Sequence, residues 1–315
     1  MKLLIGMMTV LALLLAPVMA GAGEELPEEL RNIEELFDDE ERLVKAVREF
    51  HVTQKALGEA DYDQAVGLME RGEAELAEEK YEEMWRRFRL VRRAYDEVLE
   101  RYSQNPLALT YMGELLYDTY GEEAEAVEMW RTAIGIEPDL SLAHNNLGIH
   151  YSHTGEHERG IEHLHRTIEI EPDNPDFLFN LAQIYIIHRN VVAEMEDINQ
   201  QEVFEKAMEM SRKAAEVSPH DYELLQDYAL NYFTAENFGV DVDWAEAAQA
   251  WERARGQSES WDTTFYTWLN EARAWIRDGD DERARECLKE ALEINPDSEA
   301  AKNLLNELEA ANGDE

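Results

Sequence analysis

The chain has 315 residues, 31% of them charged, and carries a formal net charge of -41 with a sequence pI near 4.4. Acidity on this scale, spread along the whole length, excludes nucleic-acid binding, because a phosphate backbone repels it. Cys287 is the single cysteine, so no intrachain disulfide can form and packing alone must hold the fold.

In chain order, residues 1–22 begin with Lys2 near the start, run apolar from Leu3 to Ala16 and finish in small residues, Ala20-Gly21-Ala22. This pattern is that of an export signal cleaved before Gly23, with an uncleaved N-terminal anchor as the alternative. The apolar run is shorter than the roughly 20 residues of a membrane span. The expected location is therefore exported, periplasmic or secreted, with no membrane span after cleavage.

Residues 23–61 form an acidic segment, of which 28–57 is expected as a charged amphipathic helix. Residues 62–106 are expected as a degenerate helical pair with an overlong second helix. That helix contains the basic run WRRFRLVRRAY at 85–95. Glu82 and Glu83 precede Arg86 and Arg87 by four residues, and Arg92 and Arg93 precede Asp96 and Glu97 by four. Such pairs meet on a helix surface and account for the arginines without a ligand.

From 107 to 296 the chain repeats. Pro106, Pro138, Pro172 and Pro296 close the similar phrases YSQNP, IGIEPD, IEIEPD and LEINPD, and Pro138 to Pro172 spans 34 residues. Between the prolines the same offsets carry the same kinds of residue. One unit has Leu147-Gly148, Tyr151, Gly155, Gly160 and Leu164; another has Trp268, Ala272, Trp275, Gly279, Ala284, Leu288 and Ala291. A third has Tyr117, Gly121, Ala126, Trp130 and Ala133. Small residues suit the places where two helices cross closely, and large ones fill the gaps between crossings. Two units are stretched, by a loop RNVVAEMEDINQ near 189–200 and by FGVDVD at 238–243, and 297–315 is expected as a capping helix and tail. The loops are expected to project from one edge. Trp244, Trp251, Trp261, Trp268 and Trp275 have the spacing of inter-helix packing residues, and Cys287 sits among alanines and leucine as a packed residue.

This pattern resembles the tetratricopeptide repeat (TPR) family over roughly residues 62–311, most clearly at 107–172 and 262–296. The resemblance implies an all-α fold, a right-handed α-solenoid of helix-turn-helix repeats, with about five repeats in 107–296. It also implies a non-catalytic protein–protein interaction scaffold, here of the cell envelope, whose first helices line a concave groove for an extended segment or helix of a partner. The residues themselves offer no phosphate loop, nucleophile elbow, HExxH or paired-cysteine motif, so no enzyme activity and no cofactor are expected. The acidic field favours a basic partner protein or peptide.

By the same resemblance, the slot held by Asn146, Asn180, Asp227 and Asn270 faces the groove and anchors the backbone of a bound segment. An amide suits that task because it offers both a donor and an acceptor. The other reading of the slot is local hydrogen bonding between neighbouring helices. Ile149, His153 and Gln183 would flank it. Six of the nine histidines fall in 141–175, and His150, His153 and His157 lie close enough along the chain to form a three-imidazole constellation. Histidine-based metal or cation binding is therefore a rival reading, and a membrane-tethered structural adaptor is another. The expected metal site is nonetheless none.

Overall fold

The computed structural model describes residues 28–313, so the signal pattern of 1–22 lies outside the described residues. Among the described residues the secondary structure is entirely helical. The chain divides into two units, the first ending at Tyr111 and the second starting at Met112.

The first unit is built on two long helices, α1 (Glu40–Glu70) and α2 (Ala74–Arg101). Asp39 starts α1 by accepting the Arg42 amide at 3.2 Å, and Gly72 reverses the chain with φ 78°, a conformation that costs a residue without Cβ little. Val47, Val91, Tyr95 and Val98 are fully buried between them. Buried polar groups are paired: Tyr95 Oη lies 3.1 Å from His51 Nδ1, and Asp61 takes Lys80 at 3.1 Å and Arg87 at 2.7 Å. Arg87 also meets Glu83 at 2.9 Å and Arg93 meets Glu97 at 2.6 Å, so these two arginines are engaged inside the molecule.

The expected boundaries here need correction. Residues 28–34 are short helical turns, and the helix expected at 28–57 instead begins at Glu40 and continues to Glu70. The 61/62 boundary therefore falls inside α1, beside the buried Asp61. Helix formers are continuous through this region, and the turn comes at Gly72.

The boundary between the units falls within α3 (Pro106–Leu115), which leads into a π-helical turn, Leu116–Tyr120, closed by left-handed Gly121, and then α4 (Glu123–Ile136). The helices α5 (Ser141–His153) and α6 (His157–Ile170) form the next pair. After them come α7 (Pro175–Ile187), α8 (Arg189–Glu196) and α9 (Gln200–Val217). The next pairs are α10 (Tyr222–Asn231) with α11 (Trp244–Arg255), and α12 (Trp261–Asp278) with α13 (Asp281–Ile294). The helix α14 (Glu299–Gly313) packs on α13. Each pair packs internally and on its sequence neighbour, which is the arrangement of a right-handed α-solenoid.

Glycines set the closest crossing. A Cβ on Gly160 would stand 2.7 Å from Ser152 N and 2.8 Å from the Gly148 carbonyl oxygen, so α5 and α6 touch backbone to backbone. Trp251, Leu288 and Ala284 are fully buried, and Cys287 is buried beside them, as its surroundings suggested. Trp244 and Trp268 are partly buried, but Trp261 is 67% exposed, contrary to its expected packing role. It stands at the first position of α12, where the side chain has no preceding turn to lie on.

The insertion at 189–200 is not a projecting loop. Its residues form α8, with Val192 fully buried against the core of α7 and α9. Glu196 at its end is held by Lys206 and by Tyr185 Oη, and Asp197 then turns the chain at φ 54°. The 238–243 segment is anchored too: Phe238 is buried at 5.3 Å from the Phe204 ring, and Val240 and Val242 pack on the same core.

Candidate functional site

The slot predicted to anchor a partner's backbone is largely occupied by the protein itself. Asn180 on α7 donates to Asn145 Oδ1 on α5 at 3.0 Å, and Asn145 donates in turn to Asn146 Oδ1 at 3.4 Å. Gln183 donates to Asp227, which also accepts from Asn231 at 3.1 Å and from Ser211 at 3.3 Å. Asn270 is 3% exposed; its amide donates to the Tyr266 carbonyl at 3.0 Å and its oxygen accepts from Arg273 at 2.9 Å. These contacts match the local reading of the slot, hydrogen bonding within and between neighbouring helices. Asn146 keeps a buried Nδ2 with no partner. Ile149 packs against the core of α6 and α7, and His153 is exposed.

Burial without a cation beside it pushes the Asp227 carboxyl up to about 6, although Ser211 and Asn231 donate to it. It is the single carboxyl among the slot residues, and from α10 it accepts from uncharged donors on α7, α9 and α10 itself.

The histidines separate into pairs. His150 faces Tyr117, with Nδ1 at 3.4 Å from the hydroxyl, while His157 stacks on His188 at 4.0 Å and donates from Nδ1 to the Ser152 carbonyl at 2.8 Å. His163 Nδ1 meets His144 Nδ1 at 2.9 Å, and His165 Nε2 meets Tyr185 Oη at 2.7 Å. Burial, with His144 and two arginines close by, lowers His163 to about 4, so that ring is neutral at ordinary pH. His150, His153 and His157 do not converge, and among the described residues no three metal-binding side chains do.

A groove opens instead toward the C-terminal end of the second unit. It has a volume of about 450 Å³ and is lined by Leu230 of α10, Phe233 after it, Tyr266, Asn270, Arg273 and Arg277 of α12, and Leu304 of α14. The first helices of two successive pairs, α10 and α12, and the terminal helix α14 thus contribute one wall apiece. Leu230 and Tyr266 are more than a third exposed. Arg277 is laid over Phe233 and Trp244, with its guanidinium 5.0 and 5.1 Å from the ring centres. Of the slot residues only Asn270 reaches this groove, and its amide is spent on the Tyr266 carbonyl and its oxygen on Arg273. Arg273 was not singled out in the sequence, although it stands one turn beyond Asn270 on the same helix face.

Stacked helix pairs with a groove across their first helices define an α-solenoid of tetratricopeptide type. The comparisons agree with that class. Residues 265–298, spanning most of α12 and α13, match the model of the tetratricopeptide repeat. The photosystem I assembly protein Ycf3 of Rippkaea orientalis is 29% identical over 108 residues, 32% of this chain and 61% of that relative, so the similarity spans about three fifths of the relative's length. The crystal structure of YrrB, described as a TPR protein with an unusual peptide-binding site, superposes with a TM-score of 0.50 at 16% identity, covering 67% of this chain and 96% of that one. The C-terminal part of a TPR repeat-containing protein from Cytophaga hutchinsonii does so with a TM-score of 0.53 at 15% identity, covering 88% and 99%. The chain carries a tetratricopeptide repeat and has the fold of TPR solenoids; among its described residues no helix is long and apolar enough to cross a membrane.

Proposed function

We propose that this protein is a non-catalytic scaffold that holds an extended segment of a partner protein in the groove between α10, α12 and α14. The observation that carries this reading is the groove itself. It places exposed apolar side chains, Leu230 and Tyr266, beside an immobilised guanidinium on the face where the repeat fold offers its first helices. Exposed apolar surface rimmed by polar groups marks an interaction site. Tetratricopeptide repeats generally mediate protein–protein contacts, and YrrB is described as having a peptide-binding site.

In the same reading the scaffold works in the cell envelope, supported by the signal pattern of residues 1–22, and serves the assembly of other proteins. The partial similarity to photosystem I assembly proteins supports that kind of task. The anchoring role moves from the amide row to Leu230, Tyr266, Arg273 and Leu304, because the row is committed internally.

The test is an array of capped nine-residue peptides of varied sequence, probed with the full chain and with Leu230→Ser and Leu304→Ser. Both leucines are at least partly exposed, so their loss should cost little stability. Peptides bound by the wild type should lose about tenfold or more in affinity for the double variant, the scale of one or two buried aliphatic contacts. Undiminished binding by the double variant would place the peptide surface elsewhere.

A further inference from the structure

The groove carries a charge of its own, opposite in sign to the chain's net charge. Arg273 lines it, and among the described residues no carboxylate stands within ion-pair distance of its guanidinium. Arg189 and Arg253 likewise have no carboxylate within ion-pair distance among the described residues, but they lie over the Phe238 and Tyr228 rings, whereas Arg273 lines the groove. Arg87, Arg93, Arg131 and Arg255 all hold a glutamate or aspartate within 2.9 Å.

Arg273 is also fixed in place. Asn270 Oδ1 takes one N–H at 2.9 Å, and the Asn270 amide is itself tied to the Tyr266 carbonyl at 3.0 Å. Arg277, one turn along, donates to the Arg273 carbonyl at 3.3 Å and lies on aromatic rings, so the two guanidinium groups do not share a role. A guanidinium has five N–H donors in a planar fork that matches a carboxylate. Arg273 spends one on Asn270 and keeps the others for the groove.

The apolar walls lie on both sides of this cation: Leu230 and Phe233 on the α10 side, Leu304 on the α14 side. Packed helices stand about 8–10 Å apart, and an extended chain advances about 3.3 Å per residue. A segment crossing the three helices therefore spends two or three residues between each wall and Arg273. We propose that the groove selects an internal extended segment with an aspartate or glutamate between two apolar side chains, the acid bound by Arg273 and the apolar groups by Leu230 with Phe233 and by Leu304. A chain ending in a carboxylate at Arg273 would leave one wall bare, so the ligand is an internal segment. The net charge of -41 acts on encounter over the whole surface, whereas a desolvated pair inside the groove acts on residence.

This inference rests on the groove reading, and one experiment separates their failures. Fluorescence anisotropy would be measured on the full chain with dye-labelled, end-capped Gly-Leu-Ser-Asp-Ser-Phe-Gly. Parallel probes would carry asparagine or lysine in place of aspartate, and one would end in a free carboxylate after Gly-Leu-Ser-Leu. The variants are Arg273→Gln and Arg273→Lys, with helix content checked by circular dichroism. The aspartate peptide is expected to bind wild type at least tenfold tighter than the asparagine peptide. Arg273→Gln should abolish that difference, its affinity for the aspartate peptide falling to its affinity for the asparagine peptide. Arg273→Lys, which keeps the charge and folds without the fork, should retain a reduced difference. Equal affinity of wild type for the aspartate and asparagine peptides, or a preference that survives Arg273→Gln, overturns the acid-selective groove and leaves peptide binding standing. Tightest binding of the free-carboxylate peptide overturns the internal-segment assignment. Binding of none of the four peptides by the wild type overturns this inference and the groove reading together.

Discussion

Asn180 Nδ2 donates to Asn145 Oδ1 at 3.0 Å, joining the first helices of two successive repeats, α7 and α5. Asn145 is nearly buried, whereas its neighbour Asn146, the residue that the repeat pattern singles out, is half-buried and leaves its Nδ2 without a partner. The amide row is thus a seam between repeats before it is a ligand surface. Nearest-neighbour interfaces of this kind supply much of the stability of a repeat protein.

Asn145→Ala is therefore expected to cost more than Asn146→Ala. The first leaves the Asn180 amide unpaired and should destabilise by about 1–3 kcal/mol, while the second removes an unsatisfied Nδ2 and only a long 3.4 Å contact from Asn145, and should stay within about 1 kcal/mol. Urea unfolding followed by circular dichroism separates the two. A larger loss for Asn146→Ala would show that Asn146 carries an interaction in solution beyond the Asn145 contact.

Asp227 makes stability depend on pH in a particular direction. Burial raises its carboxyl from 3.8 in the unfolded chain to about 6 in the folded one. The folded state then binds the proton more tightly, so this group favours folding fully below about pH 4 and loses that contribution as pH rises through 6. Well above pH 6 the buried carboxylate costs about 3 kcal/mol, which Asp227→Asn should recover, since an amide can accept from Asn231 and donate to a flipped Gln183. The gap between variant and wild type should be greatest at pH 7–8 and close toward pH 4. Urea midpoints measured across that range give the curve directly, and a gap that widens on acidification would contradict it.

Two glycines on helices should respond oppositely to alanine. At Gly160 the added methyl meets Ser152 N at 2.7 Å and the Gly148 carbonyl at 2.8 Å, so α5 and α6 must separate, at a cost of about 1–3 kcal/mol. At Gly135, within α4, nothing lies within 4 Å of the new atom. There alanine should stabilise by about 0.5–1 kcal/mol through helix propensity and the unfolded chain. Thermal melts of the two variants test this, and a stabilised Gly160→Ala would mean that the two helices are looser than their backbone contacts require.

What was legible in the sequence was whatever depends on residue type at fixed helical spacing. Gly148 and Gly160 at a crossing, Trp130 and Trp251 in the gaps, and the 34-residue spacing of Pro138 and Pro172 all follow from how two helices must pack, so the all-α solenoid could be read directly. Arg87 and Arg93 were legible for the same reason, since i,i+4 partners are set by one helix alone. The insertion at 189–200 was less so, because Val192 becomes a core residue only when α7 and α9 are both beside it. The amide row shows the limit most clearly. Its position on the first helices follows from periodicity, but whether Asn146, Asn180, Asp227 and Asn270 face a ligand or one another depends on distances across helices far apart in the chain. The sequence by itself determined the repeat, its helices and the residues that fill them, because those rest on local geometry and volume. Only the tertiary structure decided that Asn180 is spent on Asn145, that Asp227 is buried among uncharged donors, and that Arg273 lines a groove between apolar side chains with no carboxylate among the described residues in ion-pair reach. Hydrogen-bond and charge partners are chosen by proximity after folding, and no spacing along the chain encodes them.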